Sequence, residues 1–260
     1  MRDGYSFFLG IALLVLAVSS CIVYQPLQSS LPPVRRKGEA AVKGSYQVPY
    51  MGQITGAWSP VPHGLVFASG GLHIYNAARD SSNNYARSRQ YEAGLGAYTT
   101  LGNIWLSGSV GAGQGRGYRY GRFASVDGPS FGVGIPIPGG GTGTRTYTPI
   151  PELLGHYNTR FVQITGWKHD EKVEGLEWGT SIRLNEVRFT RLTLNGITQP
   201  LPVQRILQAE LTAQYTWRRL VWQAAAAYAP ALGRTSDERA FARSPLRLWV
   251  GVVFQPRFPK

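Results

Sequence analysis

Apolar and polar residues alternate with a period of two from residue 38 to residue 254. This period places successive side chains on opposite faces of a strand. No helical period follows the first twenty residues. Ten candidate strands lie near 39–46, 52–58, 65–74, 90–97, 103–115, 157–168, 176–184, 207–217, 220–229 and 246–254. The pattern therefore predicts an all-β fold.

The connections between these strands alternate in length. Long ones lie near 75–88, 119–156, 189–204 and 230–244, and short ones lie near 59–64, 100–102, 169–175 and 218–219. The first connection, near 48–51, is short but belongs to the long set by its place in the order. Successive connections of an up-and-down antiparallel barrel lie at opposite ends, so one end of this barrel would carry most of the loop residues. Long loops at one end and tight turns at the other are typical of outer-membrane barrels. We predict an up-and-down antiparallel β-barrel of about ten strands over residues 38–260.

The N-terminus has the pattern of a lipoprotein signal peptide over residues 1–20. Arg2 precedes an apolar run at 7–18 that is too short to span a membrane but fits a signal peptide. The tetrad Val18-Ser19-Ser20-Cys21 resembles a bacterial lipobox. We predict acylation of Cys21 by chains such as palmitate, with the rest of 21–37 as an extended tether. The alternative is an ordinary signal peptide with an incidental cysteine.

Composition narrows the possible classes of protein. The chain has 260 residues, 43% hydrophobic and 16% charged, and Cys21 is its single cysteine, so neither a disordered chain nor a disulfide framework fits. The net charge is +13, and arginines supply 22 of the 27 basic residues. The guanidinium group of one arginine can donate two parallel hydrogen bonds to the oxygens of a phosphate. We expect outer-membrane lipids, through lipopolysaccharide phosphates or anionic headgroups, as partners at the barrel rims, and we do not expect nucleic acid.

Eight charged residues lie opposite the apolar stripes, namely Glu39, Lys43, Glu92, Arg160, Glu177, Arg183, Glu210 and Arg247. Buried charges need partners, so four acids and four bases predict a polar, plugged lumen in a small closed barrel. The phase of 157–168 is open, because Phe161 and Trp167 compete with Val162 and Ile164 for the apolar face. The alternative is that the eight residues face solvent on an open sandwich.

A second architecture is a soluble, lipocalin-like barrel tethered in the periplasm, which would bind an apolar ligand. It predicts an apolar interior and a charged outer face, the inverse of a membrane barrel. The seven tryptophans do not decide the matter, because an interfacial girdle and core packing both explain tryptophans at strand ends.

Catalytic chemistry has weak support. Acidic residues neighbour histidines twice, as His73 with Asp80 and Glu152 with His156, and Ser130 is the serine that a surface hydrolase would use. The four histidines form no pair with metal-ligand spacing. We predict no enzyme activity, no cofactor and no metal site, with a structural or binding role instead.

Two short motifs resemble a known family. Pro32-Pro33-Val34-Arg35-Arg36-Lys37-Gly38-Glu39 leads into the first strand, and Trp58-Ser59-Pro60 lies in the second connection. Together with the lipobox they resemble small lipoproteins of Bacteroidetes that look like outer-membrane β-barrels of unknown function. The resemblance implies an outer-membrane barrel and brings no catalytic residues. Independently of it, an even number of strands returns the C-terminus to the side of the N-terminus, so we expect an outer-membrane location with both termini on the periplasmic side. Membrane barrels usually finish with an aromatic C-terminal residue, whereas this chain continues past Phe254 to Lys260.

Overall fold

Ten strands close into one antiparallel barrel in the computed structural model, which describes residues 24–48, 51–76, 85–121, 152–201, 203–217, 220–232 and 246–256. They are β1 (Ala40–Val48), β2 (Met51–Trp58), β3 (Gly64–Asn76), β4 (Tyr85–Leu101), β5 (Ile104–Tyr120), β6 (Glu152–His169), β7 (Leu176–Leu194), β9 (Val203–Trp217), β10 (Leu220–Tyr228) and β12 (Leu246–Phe254). Short strands β8 (Ile197–Thr198) and β11 (Ala231–Leu232) pair with β7 and β9. The pairs β7–β9 and β1–β12 close the ring, which confirms the predicted barrel.

The two ends of the barrel differ in their connections. One, here called the short-turn end, carries 59–63, 102–103, 170–175 and 218–219, and the other, the long-loop end, carries 49–50, 77–84, 121–151, 195–202 and 229–245. Strands β4 to β7 are 17 to 19 residues long and take up part of the predicted loops 75–88, 119–156 and 189–204. Strands β1, β2, β10 and β12 have only 8 or 9 residues. No described residue belongs to a helix that could cross a membrane.

The side chains sort by face along every strand. Apolar residues cover the outside, where Ile54 and Ile164 are each 66% exposed and Leu95 is 65% exposed. The buried, inward-facing side chains include glutamines, serines, threonines and six charged residues of the strands. This arrangement is the inverse of the soluble lipocalin-like alternative, and it is the polarity of a barrel that contacts lipid outside.

The prediction that Arg160 faces the lumen was wrong, because β6 turns the other set of alternate residues inward. Phe161 and Trp167 point inward and are buried, so Arg160 is exposed on the outer face. Each ring lies over an inward-facing glycine of the neighbouring strand, because Phe161 pairs with Gly111 and Trp167 pairs with Gly179. A Cβ atom at Gly111 would lie 2.3 Å from the Phe161 ring. The glycines on β5 and β7 therefore leave space for these two rings inside the barrel. The β6 sequence alone does not show which residues of the neighbouring strands lie opposite the rings.

Residues 24–34, here called the lumen segment, run through the interior of the barrel. All eleven are buried, and they form no regular secondary structure. The sequence analysis predicted a tether over 21–37, and residues 24–34 of that range lie inside the barrel wall. Its chain then turns at Arg36 to Gly38, where Gly38 has a φ of 81° that a side chain would strain, and enters β1.

Candidate functional site in the barrel lumen

The barrel wall holds the lumen segment by its backbone carbonyls. Nine of the eleven carbonyls accept a hydrogen bond from a wall side chain or from Gln255 just beyond β12. The donors, in order from Gln25 to Val34, are Gln90, Arg247, Gln208, Gln53, Gln163, Lys43, Trp167, Gln255 and Trp105. An unpaired carbonyl buried away from water is costly, so these donors make the buried path possible.

Inward-facing glutamines are the residues that the sequence analysis missed. Eight are buried on the strands, namely Gln47, Gln53, Gln90, Gln163, Gln204, Gln208, Gln214 and Gln223. A glutamine amide both donates and accepts, as a peptide group does. Gln53 uses both functions on one residue, accepting from the Gln28 N–H at 2.7 Å and donating to the Gln28 carbonyl at 3.3 Å. The signal in the sequence was glutamine recurring among the positions opposite the apolar stripes, as at Gln204, Gln208 and Gln214.

Glu210 on β9 binds the middle of the lumen segment. Its carboxylate accepts hydrogen bonds from the backbone N–H groups of Ser29 at 2.9 Å and Ser30 at 3.2 Å, and from the Gln28 amide at 3.2 Å. Lys43 on β1 donates to the Ser30 carbonyl from another side of the lumen. Glu210 therefore binds the backbone N–H groups of Ser29 and Ser30, while Lys43 binds the backbone carbonyl of Ser30.

Glu92 on β4 and Arg183 on β7 form a buried ion pair. Two nitrogens of the Arg183 guanidinium donate to the two carboxylate oxygens of Glu92 at 2.7 and 2.5 Å, and both side chains are buried. Arg183 also donates to Asn185 at 2.7 Å, and its guanidinium carbon lies 3.7 Å from the centre of the Phe161 ring. A bidentate pair with further contacts is the geometry in which a buried ion pair can offset its desolvation.

The other predicted lumen residues divide between the interior and the rim. Glu177 is buried and accepts from Arg35 and from Gln214, and Arg247 donates to the Pro26 carbonyl at 3.4 Å. Glu39 lies at the short-turn rim and accepts from the backbone N–H groups of Arg35 and Arg36. Six of the eight residues are thus buried, and the lumen segment, which the prediction did not include, supplies many of their partners.

The tryptophans serve both roles that the sequence left open. Trp105, Trp167 and Trp249 are buried inside, whereas four are about half exposed near the short-turn ends of their strands, namely Trp58, Trp178, Trp217 and Trp222. The Trp178 indole donates to the Asp170 carboxylate at 3.2 Å. The Lys172 backbone N–H and this indole hold the pKa of Asp170 below its usual value. The exposed four form a girdle at one level of the outer face.

A second surface lies on the outer face in the long-loop halves of the strands. It carries seven exposed arginines, here called the arginine surface, namely Arg87, Arg89, Arg116, Arg160, Arg188, Arg191 and Arg205. Glu186 pairs with two of them, Arg188 at 2.7 Å and Arg205 at 3.6 Å. The short-turn end differs, because the turn at 170–175 mixes acids with bases. The excess of basic residues among the described strands therefore lies on one side of the apolar band.

The structure keeps Glu152 and His156 apart, and the other acid–histidine neighbourhood lies partly outside the described residues. His73 points into the lumen and is buried, while Asp80 lies outside the described residues, as do Ser130 and Cys21. Glu152 and His156 are four residues apart on β6. Four strand residues span about 13 Å, which is too far for an acid to orient an imidazole. Among the described residues no group of three or more His, Cys, Asp or Glu could hold a metal ion.

No family model and no curated protein matches the chain. The chain is similar to the translocator domain of the autotransporter NalP from Neisseria meningitidis, at 11% identity over 85% of this chain and 87% of that one, with a TM-score of 0.48. It is similar to the KdgM porin at 10% identity, over 84% and 99%, with a TM-score of 0.36. It is also similar to the outer-membrane protease OmpT from Escherichia coli at 11% identity, over 84% and 91%, with a TM-score of 0.39. At these identities the similarity concerns the barrel fold alone.

The prediction that the chain is not an enzyme was wrong as an exclusion. The structures to which the chain is similar include an outer-membrane protease. A fold by itself neither assigns nor excludes catalysis. The sequence argument rested on weak motifs, and the lack of a motif does not exclude a site that cross-strand register assembles. Of the predicted acid–histidine pairs, the one that the structure describes, Glu152 with His156, is too far apart to act as a catalytic pair.

Proposed function

We propose that the protein is an integral outer-membrane β-barrel whose lumen is closed by its own N-terminal segment, and that it serves as a lipid-associated structural or binding element. One observation carries the proposal, namely an apolar outer face around a polar interior that residues 24–34 occupy. An open water-filled porin needs a clear lumen. Here the lumen segment is buried along its whole length, and its carbonyls accept hydrogen bonds from side chains on seven strands.

The two outer surfaces support one orientation of the barrel. Short turns of outer-membrane barrels face the periplasm and long loops face outward. In that orientation the tryptophan girdle lies at the inner leaflet, and the arginine surface lies at the level of the outer-leaflet headgroups. Acylation of Cys21, as the lipobox predicts, adds a membrane attachment through the N-terminus.

Part of the arginine surface is suited to bind phosphate. Arg89 faces Arg116 across β4 and β5, Arg116 faces His156, and His156 faces Arg191 across β6 and β7. Neighbouring strands are about 4.8 Å apart, and like charges directly opposite each other destabilise a sheet. A bound phosphate offsets this repulsion and accepts paired hydrogen bonds from guanidinium groups. The lipopolysaccharide of the outer leaflet presents such phosphates in the membrane plane.

Membrane integration is tested with a Cys21→Ser variant directed by an ordinary cleavable signal peptide. Without the acyl chains, retention in the membrane has to come from the barrel itself. We expect the variant to resist carbonate extraction and to change its gel mobility when heated. Release as a folded soluble protein would contradict the proposal.

The phosphate contact is tested with purified protein in phosphatidylcholine vesicles with and without lipopolysaccharide. We expect lipopolysaccharide to raise the temperature of the heat-dependent gel shift. The triple variant Arg89→Gln, Arg116→Gln, Arg191→Gln should lose most of this increase. The control Lys168→Gln, Lys172→Gln removes two exposed charges near the short-turn end and should keep it. Equal behaviour of both variants would refute a specific phosphate surface.

A further inference from the structure

We infer that the lumen is a binding channel for an extended polypeptide backbone, and that the chain before Tyr24 leaves the barrel at the long-loop end. The inference deepens the proposed function. What it implies for the side of the membrane on which Cys21 lies rests on the orientation in that proposed function. Two observations carry it, namely the hydrogen bonds to the carbonyls and the direction in which the lumen segment runs.

The contacts recognise the backbone more than the side chains of the lumen segment. Nine carbonyls accept hydrogen bonds from donors on β1, β2, β4, β5, β6, β9 and β12 and from Gln255. Carbonyls are common to all residue types, so this pattern does not depend on the sequence held. Pro26, Pro32 and Pro33 carry no N–H, which reduces the number of buried donors that the lumen has to satisfy.

The direction of the segment follows from its contacts with a single strand. Trp167, near the short-turn end of β6, donates to the Leu31 carbonyl at 3.0 Å, and Gln163 donates to the Ser29 carbonyl at 2.6 Å. Tyr157, in the long-loop half of β6, packs edge-on against Tyr24 with ring centres 5.1 Å apart. Positions further back in the chain therefore lie progressively closer to the long-loop end.

The segment is long enough to cross the barrel. Ten extended steps from Val34 to Tyr24 cover about 33 Å, close to the roughly 30 Å of a hydrocarbon core. Tyr24 belongs to an apolar cluster with residues in the long-loop halves of their strands, including Leu153, Leu192 and Ile206. Val34 and Leu31 belong to the cluster around Trp105 and Trp167 near the short-turn end.

The membrane consequence concerns Cys21. It precedes Tyr24 by three positions, so the two residues are at most about 11 Å apart. In the proposed orientation an acylated Cys21 inserts its chains from the outer side of the membrane. This differs from the prediction that placed both chain termini on the periplasmic side, because β1 begins at the short-turn end but the lumen segment returns the chain through the barrel.

Spin-label distances in detergent test the path without reference to a membrane. The full chain carries Cys21→Ser, and labels are placed at Val23→Cys with either Ile197→Cys, at the long-loop end, or Glu174→Cys, in a short turn. We expect the label at 23 to lie closer to 197 than to 174 by about the length of the lumen segment, on the order of 30 Å. The pair at 174 and 197 is the control that measures the barrel itself. A shorter distance from 23 to 174 would overturn the inference.

Backbone recognition is tested with two sets of variants in the same labelled protein. Gln25→Ala with Ser29→Ala changes the side chains of the segment and should leave the distance from 23 to 197 unchanged. The triple variant Gln53→Leu, Gln163→Leu, Gln208→Leu removes donors from the wall. It should broaden the distribution of distances between the labels at 23 and 197. The opposite outcome would mean that the lumen recognises the side chains.

A membrane-impermeant maleimide applied to intact cells separates this inference from the proposed function. Val23→Cys and Ile197→Cys should react, and Glu174→Cys should not. If the spin-label distances agree with the inference while only Glu174→Cys reacts, the threading stands and the proposed orientation is wrong. If the distances fail, the threading is wrong whatever the orientation.

Discussion

The outer and inner faces of the barrel wall use alternate residues of the same strands but depend on different contacts. Ile164 is 66% exposed on the outer face, while its neighbour Gln163 is 3% exposed and donates to the Ser29 carbonyl at 2.6 Å. An outer residue needs only an apolar surrounding, which lipid supplies without specific geometry. An inner residue has to match a particular atom of the lumen segment or of the opposite wall. The inner face is therefore sensitive to the identity of a residue, and the outer face to its polarity.

The largest expected effect comes from breaking the buried ion pair. Arg183→Leu leaves Glu92 charged and without its partner, which should cost about 3–5 kcal/mol in the free energy of unfolding. Arg160→Leu removes an arginine from the outer face and should change stability by less than about 0.5 kcal/mol. Denaturant titration in detergent micelles measures both.

The double variant Glu92→Leu, Arg183→Leu sharpens this result. Removing both charges leaves no unpaired ion, so the double variant should be more stable than Arg183→Leu alone. Equal losses in both variants would mean that the pair does not stabilise the lumen through its charges.

The next effect comes from placing a charge on the outer face. Ile164→Arg puts a guanidinium within the apolar band and should cost about 2–4 kcal/mol in a lipid bilayer. Leu101→Arg, at the short-turn end of β4, should cost only about 0–1 kcal/mol because the membrane interface is near. Reversible unfolding from vesicles measures the difference. Similar costs at the two positions would argue against a membrane-spanning band.

A smaller effect is expected from one hydrogen bond to the lumen segment. Trp167→Phe keeps an aromatic ring but removes the donor to the buried Leu31 carbonyl, so about 1 kcal/mol of stability should be lost. Trp178→Phe makes the same change on the exposed girdle and should cost less. A larger loss for the exposed tryptophan would contradict the assigned role of the inner one.

The smallest effect concerns Asp170 in its short turn. Its pKa is lowered by hydrogen bonds to the folded chain, first from the Lys172 backbone N–H and then from the Trp178 indole. A lowered pKa means that the charged carboxylate favours the folded state above the ordinary aspartate pKa of about 3.9. This stabilisation is lost as the pH falls through the lower, folded-state value. Asp170→Asn should therefore shift the thermal midpoint slightly at pH 7 and progressively less as the pH falls through the folded-state pKa, and a shift that does not change with pH would exclude the carboxylate.

Much of the wall could be predicted because its signal is local. Ten alternating segments mark the ten strands, and alternating connection lengths distinguish the two ends. The inward positions of Glu92, Arg183 and Glu210 follow from the same period. Arg160 was misplaced because two apolar sets compete in 157–168, and only the pairing of Phe161 with Gly111 decides between them.

The lumen segment could not be predicted from its own residues. Residues 24–34 show no period, because their partners surround them on all sides instead of lying on one face. The hydrogen-bonding groups that the wall binds are backbone carbonyls, which leave no trace in a sequence. The glutamines opposite the apolar stripes were visible, but their purpose depended on what fills the barrel.

The sequence by itself determined that this chain forms a closed antiparallel barrel, because a period of two and alternating connections act through neighbouring residues. It also determined which side chains of most strands face the same way. Only the tertiary structure decided what the inner face encloses and at which end Tyr24 lies. Those properties arise from contacts between residues far apart in the chain, such as Glu210 with Ser29, and no local pattern encodes them.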